Sequence, residues 1–247
     1  MTAESSNPVS GSDPLGFAPT HWTIVLAAAR GTAESQGRAA LTELCQTYWF
    51  PLYAYARRRG ENEHTAEDLT QAFFTSLLSH DALARVDRDK GKFRAFLLTA
   101  FKNFLADERD RQQAQKRGGQ LIVISLDGRD SESRYQLEPV QDLSPERVFD
   151  RQWALTVLDR VLNRLQAEWA AAGKGELFAL LQRTLTGDQP ETYEAIARQF
   201  GLTAGAVKSS AHRLRQRYRE LFHTEISQTV SSPEAIAEEI RYLMSCL

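Results

Sequence analysis

From Thr20 onward the apolar residues recur mainly at intervals of three and four, the period of an α-helix. The pattern predicts helices near 21–30, 35–59 (bent at Pro51), 65–79, 92–114, 146–171, 175–185, 191–200, 203–222 and 233–246. Several of these have start signals. Thr65-Ala66-Glu67-Asp68 resembles a capping box, and Ser144-Pro145 and Ser232-Pro233 each set a capping serine before proline. The helical pattern stops between residues 115 and 144. Gly118 and Gly119 break it, Leu121 to Leu126 reads as a short strand or a packed linker, and Gly128 to Asp142 is polar and loop-like. The expected fold is therefore all-α, with two small helical domains. Residues 1–19 form a disordered tail, 20–115 a first domain, 116–144 a linker, 145–222 a second domain and 223–247 a C-terminal helical extension.

Within 191–222 the helical faces separate cleanly. Val207, Ala211, Leu214, Tyr218 and Leu221 share one side of a helix, while Gly205, Ser209, His212, Arg213 and Gln216 lie opposite, flanked by Lys208, Arg215 and Arg219. Ahead of it, Ala197 is small enough for two helices to cross closely, and Gly201 suits the positive φ of a tight turn. Thr203 is the expected N-cap. This is the spacing of a helix-turn-helix, whose second helix can enter the DNA major groove. Its charge agrees. Residues 191–222 hold six basic side chains against three acidic ones, a net of +3 in a chain whose total is −2.

Helix 92–114 carries a wide apolar stripe of Phe93, Phe96, Leu97, Ala100, Phe101, Phe104 and Leu105. Such a stripe is read first as core and only second as a platform for stacked bases. The opposite face, with Lys92, Lys102, Asn103, Arg109 and Asp110, is the better functional candidate. Helix 65–79 buries Leu69, Phe73, Phe74, Leu77 and Leu78, and keeps Glu67, Asp68 and Gln71 polar.

Composition adds limits. A hydrophobic share of 42% and a charged share of 25% are ordinary for a soluble globular chain. Two distant cysteines, Cys45 and Cys246, offer neither a metal pair nor a disulfide framework, so a reducing, cytoplasmic compartment is expected. No secretory signal or membrane span is expected. The slightly acidic total suits a protein that meets DNA through local patches with a partner's help. Asp87-Arg88-Asp89-Lys90-Gly91 begins like a calcium loop, but Leu98 stands where the bidentate glutamate belongs, so no metal is expected. No cofactor is called for.

Three segments in order carry a family resemblance. His64 to Phe74 (HTAEDLTQAFF), Phe93 to Asp107 (FRAFLLTAFKNFLAD) and Tyr193 to Arg215 (YEAIARQFGLTAGAVKSSAHRLR) resemble the corresponding segments of bacterial sigma factors of the extracytoplasmic-function (ECF) type, in the sigma-70 superfamily. The resemblance implies that the first domain is sigma region 2 and the second region 4. It implies docking on the clamp helices of core RNA polymerase through Glu67, Asp68, Gln71 and Phe74. It implies recognition of the −10 promoter element by the loop 81–92 and the next helix, with Lys92, Lys102, Asn103, Asp107 and Arg109. The −35 element would fall to Thr203, Gly205, Lys208, Ser209, His212, Arg213 and Arg215. No catalysis is implied, because the polymerase makes the RNA. The sequence departs from the family pattern at Phe96, where tryptophan is usual, at Asp107, where some members carry asparagine, and at Gly205-Ala206, where Gly-Thr is usual. Segments 20–34 and 223–247 lie outside the shared core. They either pack on the domains or bind a regulator such as an anti-sigma factor, and both readings stay open.

Two other classes fit the sequence less well. A free-standing helix-turn-helix regulator would have no need of a polymerase-docking helix or a strand-separating one. For an enzyme, the sequence offers no Gly-rich phosphate loop, HExxH or GxSxG, and its five histidines lack metal-ligand spacing.

Overall fold

The computed structural model describes residues 35–77, 92–114, 131–136, 143–187 and 192–247. Every regular element among them is helical. The order is α1 (Ser35–Arg58), α2 (Glu63–Leu77), α3 (Phe93–Ala114), α4 (Ser131–Gln136), α5 (Pro145–Ala171), α6 (Gly175–Leu181) running into a 3-10 turn (Gln182–Leu185), α7 (Tyr193–Phe200), α8 (Ala204–Ser227) and α9 (Glu234–Met244). The expected helix at 21–30 and the loop 81–91 fall outside the described residues.

The long helix α5 is the spine. Its 27 residues make it about 40 Å long. Ser144 starts it, accepting the Arg147 N–H at 3.3 Å, with Pro145 in the first turn. α5 packs along α1 and also supports α8 and α6. Trp153 stands where the halves of the molecule meet. It is fully buried, stacked on Tyr48 at 6.1 Å between ring centroids, and Tyr48 meets Phe93 edge-on at 5.5 Å. One continuous apolar cluster therefore runs from Leu52, Phe74 and Phe101 through Trp153 to Leu214, Phe222 and Leu243.

Three local expectations need correction. Helix α2 starts two residues before Thr65, and its cap is Asn62, whose Oδ1 accepts the Thr65 N–H at 2.9 Å. Gly60, at φ 96°, turns the chain out of α1 so that Asn62 reaches the cap position first. Pro233 precedes α9 directly, and no side chain caps that helix. Part of the stretch read as loop-like, 131–136, is the short helix α4. Arg57 holds it, donating from Nε and Nη2 to the two Glu132 carboxylate oxygens at 2.9 and 2.7 Å. Tyr53 donates its hydroxyl to the same carboxylate.

Candidate nucleic-acid and polymerase interface

Helices α7 and α8 form the helix-turn-helix. Thr192 caps α7 by accepting the Ala195 N–H at 3.2 Å, and Thr203 caps α8 by accepting the Ala206 N–H at 3.2 Å. Between them Gly201 sits in the left-handed region at φ 64°, ψ 29°, and donates its N–H to the Ala197 carbonyl. A Cβ at Gly201 would meet no atom within 4 Å, so the demand for glycine is conformational rather than steric. Val207, Ala211, Leu214 and Leu221 are buried and Tyr218 is half-buried, which sets the rotation of α8. That rotation leaves Gly205, Lys208, Ser209, His212, Arg213 and Gln216 exposed on one outward face, with Thr203 at its head. Arg215 is half-buried and donates to the Tyr193 hydroxyl at 2.9 Å, so it braces α8 on α7 at the edge of the face. Arg217 is also committed. It forms a two-pronged pair with Glu168 at 2.9 Å on each arm, and that guanidinium holds the Glu168 carboxyl below the usual carboxylate range. A groove of about 290 Å³ lies beside α8, lined in part by Trp169, Lys174, Ser210 and Arg213. Lys174, in the turn after α5, extends the basic surface. Its distance in sequence from α8 hid it.

The second candidate face lies on α3. Phe93, Leu97, Phe101 and Leu105 are buried, and Phe96, Ala100 and Phe104 pack at the edge of the same core, so the stripe serves packing. Asn103 and Asp107 are exposed. The cations expected beside them are already paired. Lys102 donates to Glu146 at 2.6 Å, Arg109 to Glu61 at 3.0 Å, and Lys92 to Glu239 at 2.8 Å and Glu238 at 3.3 Å. The hydrogen bond from Lys102 holds the Glu146 carboxyl below its ordinary range.

The third face is the outer side of α2. Asp68 is exposed and Glu67 and Gln71 are half-buried on neighbouring sides. Burial, helped by the adjacent Glu63 carboxylate, pushes the Glu67 carboxyl above its ordinary value. Among the described residues the buried Gln71 Nε2 has no hydrogen-bond partner, an arrangement that costs about 1–3 kcal/mol. Phe74 corrects the sequence reading of it as a polymerase contact. It is 2% exposed and stacks on Trp49 at 6.0 Å, so it supports α2 from behind rather than standing on its outer surface.

The family description Sigma-70 region 2 matches residues 45–115, which span most of α1, all of α2 and all of α3. Across 238 residues, 94% of this chain and 83% of the relative, the sequence is 25% identical to the ECF RNA polymerase sigma factor SigE of Mycolicibacterium smegmatis. Residues 45–115 are thus a sigma-70 region 2 segment, and the chain as a whole is similar to an ECF sigma factor. No solved structure matches the chain.

The region 2 match falls on the helices that carry the second and third faces. The substitution at Phe96 is accommodated, since the ring sits at the core edge 6.0 Å from Phe93. Asp107 is exposed on the same face as Asn103. The C-terminal extension packs on the body of the chain. Helix α8 runs five residues beyond the expected end at 222, and α9 folds back on α8 and α5. The larger omission is a buried ionic cluster. Arg94 is 6% exposed and donates to both Asp150 and Glu239, and the Tyr242 hydroxyl donates to Asp150 at 2.5 Å. The signal was legible, because each acid or base interrupts an apolar stripe: Arg94 with Leu97, Leu98 and Phe101, and Glu239 with Ile236 and Leu243.

Proposed function

We propose that the chain docks on core RNA polymerase through α2 and reads promoter DNA through α3 and α8. Its role would then be to direct transcription initiation, in keeping with the region 2 match and the likeness to an ECF sigma factor. The observation that carries the reading is the presence, on one chain, of region 2 helices and a fully capped helix-turn-helix whose outward face is free of core packing. The free-standing regulator is disfavoured by the same observation, since the region 2 match has no part in it.

Asp68 and Gln71 are the proposed clamp-helix contacts, with Glu67 beside them. The exposure of Asp68 on the outer side of α2 supports this. Asn103 and Asp107 are proposed to face the −10 element, and Lys92, Lys102 and Arg109 to hold its phosphates once released from their carboxylates. On α8, Ser209, His212 and Arg213 are proposed to reach base edges of the −35 element. Thr203, Gly205, Lys208 and Arg215 would fix the helix on the backbone. The chain's work is recognition, and RNA synthesis belongs to the polymerase. No metal or cofactor enters the proposal.

The test is binding of the full chain to core polymerase from its own host. Replacing Asp68 and Gln71 together with alanine is expected to weaken binding at least tenfold while leaving helicity intact. Unchanged affinity would remove α2 as the docking surface, and no binding by the unaltered chain would remove the sigma-factor reading.

A further inference from the structure

We propose that Lys174, in the turn after α5, is a DNA phosphate contact that holds one wall of the major groove while cations of α8 hold the other. The proposal rests on the reading of α8 as the −35 helix, and it adds a residue from outside the helix-turn-helix.

An α-helix about 10–12 Å in diameter fills a major groove about 12 Å wide, so both flanks of an inserted helix run beside phosphates. The helical period divides the outward part of α8 about Ser209 and Gln216. On one flank lie the cations Lys208, Arg215 and Arg219, with His212 beside them. On the other lie Ser210, Arg213 and Arg217. This second flank is the poorer in free charge, because Arg217 is committed to Glu168 at 2.9 Å on each arm. The groove of about 290 Å³ opens on this same flank, and Lys174 lines it together with Ser210 and Arg213. The turn after α5 thus brings a cation to the side where α8 lacks one.

Charge and rigidity point to phosphate as the occupant. Lys174 is exposed and, among the described residues, makes no ion pair. Lys92, Lys102, Arg109 and Arg217, by contrast, are each paired with a carboxylate. Glu168, the acid that lines the groove, is balanced by Arg217, so the charges left uncompensated there are Lys174 and Arg213. Arg213 is drawn toward this flank by its hydrogen bond to the Ser210 hydroxyl at 3.4 Å. The backbone of Lys174 is fixed. Its N–H donates to the Trp169 carbonyl at 2.9 Å, and the Gly173 N–H donates to the Ala170 carbonyl at 2.9 Å. These bonds close α5 in a Schellman motif, with Gly173 at φ 68°. The Lys174 carbonyl accepts the Phe178 N–H at 2.9 Å. A side chain carried on a fixed turn loses less freedom on binding than one on a loose loop. A phosphate contact fixes position and carries no sequence information, so base reading stays with α8.

The test compares Lys174→Gln with the unaltered full-length chain, each bound to host core polymerase on a promoter fragment that the complex transcribes. Helicity should be unchanged, because the side chain is exposed. The slope of log affinity against log salt should become shallower by about 0.9, the value for one phosphate, with roughly a three- to tenfold loss of affinity at low salt. The loss should be the same factor for every −35 sequence. Ethylating one backbone phosphate beside the −35 element should weaken the unaltered chain and leave K174Q unaffected. An unchanged slope would overturn the contact even if affinity fell, since that loss would be structural. A loss that differs among −35 sequences would overturn it in favour of base reading. If polymerase does not bind, the sigma-factor reading fails, and the same salt titration with the chain alone on duplex genomic fragments still decides Lys174. No duplex binding in either setting would overturn both.

Discussion

Replacing Arg94 with methionine keeps the length of the side chain and removes the guanidinium from the buried cluster. Glu239 and Asp150 then lose their shared partner at sites 0% and 6% exposed. Breaking a buried ion pair from one side costs about 3–5 kcal/mol. Here the acids are not abandoned: Lys92 remains 2.8 Å from Glu239, and the Tyr242 hydroxyl 2.5 Å from Asp150. These survivors place the cost at the lower end, about 3 kcal/mol. At 1.4 kcal/mol per factor of ten, local opening becomes roughly 100-fold more frequent. The Phe93 amide reports that opening, because its hydrogen bond to Thr229 breaks when α9 leaves. Hydrogen exchange read by mass spectrometry on peptides around 92–98 and 226–243 should show protection falling by about two orders of magnitude. Peptides covering 193–215 should change little. Unaltered protection around Phe93 would refute the reasoning, and an equal loss everywhere would show that Arg94 supports the whole fold rather than one contact.

Other predictions follow from the remaining sites. Replacing His212 and Arg213 with alanine should reduce discrimination among −35 sequences by about 1–3 kcal/mol per lost base contact, measured as affinity ratios for the polymerase complex; an equal loss for all sequences would assign these side chains to phosphate. Burial alone would raise the Glu239 carboxyl, but the Arg94 hydrogen bond and charge, with Lys92 and its charge, outweigh it and hold the group below its ordinary range. A depressed folded value means that its stabilisation is complete above the unfolded value of about 4.3 and is lost as pH falls through the folded one. The contact between α3 and α9 should therefore be constant between pH 6 and 8, values chosen to lie well above about 4.3, and should weaken only in acid below it; opening around Phe93 that grows more frequent near pH 6 would contradict this. Burial pushes the Cys45 thiol up to about 12, so a thiol reagent at pH 8 should modify it only after unfolding; fast modification of the native protein would count against its placement.

What the sequence displayed best was local. The faces of α8, the caps at Ser144 and Thr203 and the turn at Gly201 each depend on residues within one or two helical turns, and all appear where the pattern puts them. The α2 cap was misplaced because asparagine and threonine are both good caps, and only the turn at Gly60 decides between Asn62 and Thr65. Helix α4 escaped notice because six residues are too few for a periodic signal, and its stability comes from Arg57, 75 residues away. The joining of the two halves was the least legible feature. Arg94 and Glu239 each place a charge on an apolar stripe, a signal passed over in the sequence, and nothing in the chain says that they meet each other and Asp150. For the candidate sites, residue type and helical face were readable, whereas the pairing of Lys92, Lys102 and Arg109 with carboxylates and the burial of Phe74 needed the tertiary structure.

Transcription in vitro tests the central claim most directly. Purified protein would be added to core RNA polymerase from its own host, with genomic fragments as template. The account predicts new transcripts from a discrete set of promoters that share −10 and −35 sequences and are silent without the protein. Absence of transcripts and of polymerase binding, together with specific duplex binding by the protein alone, would contradict it.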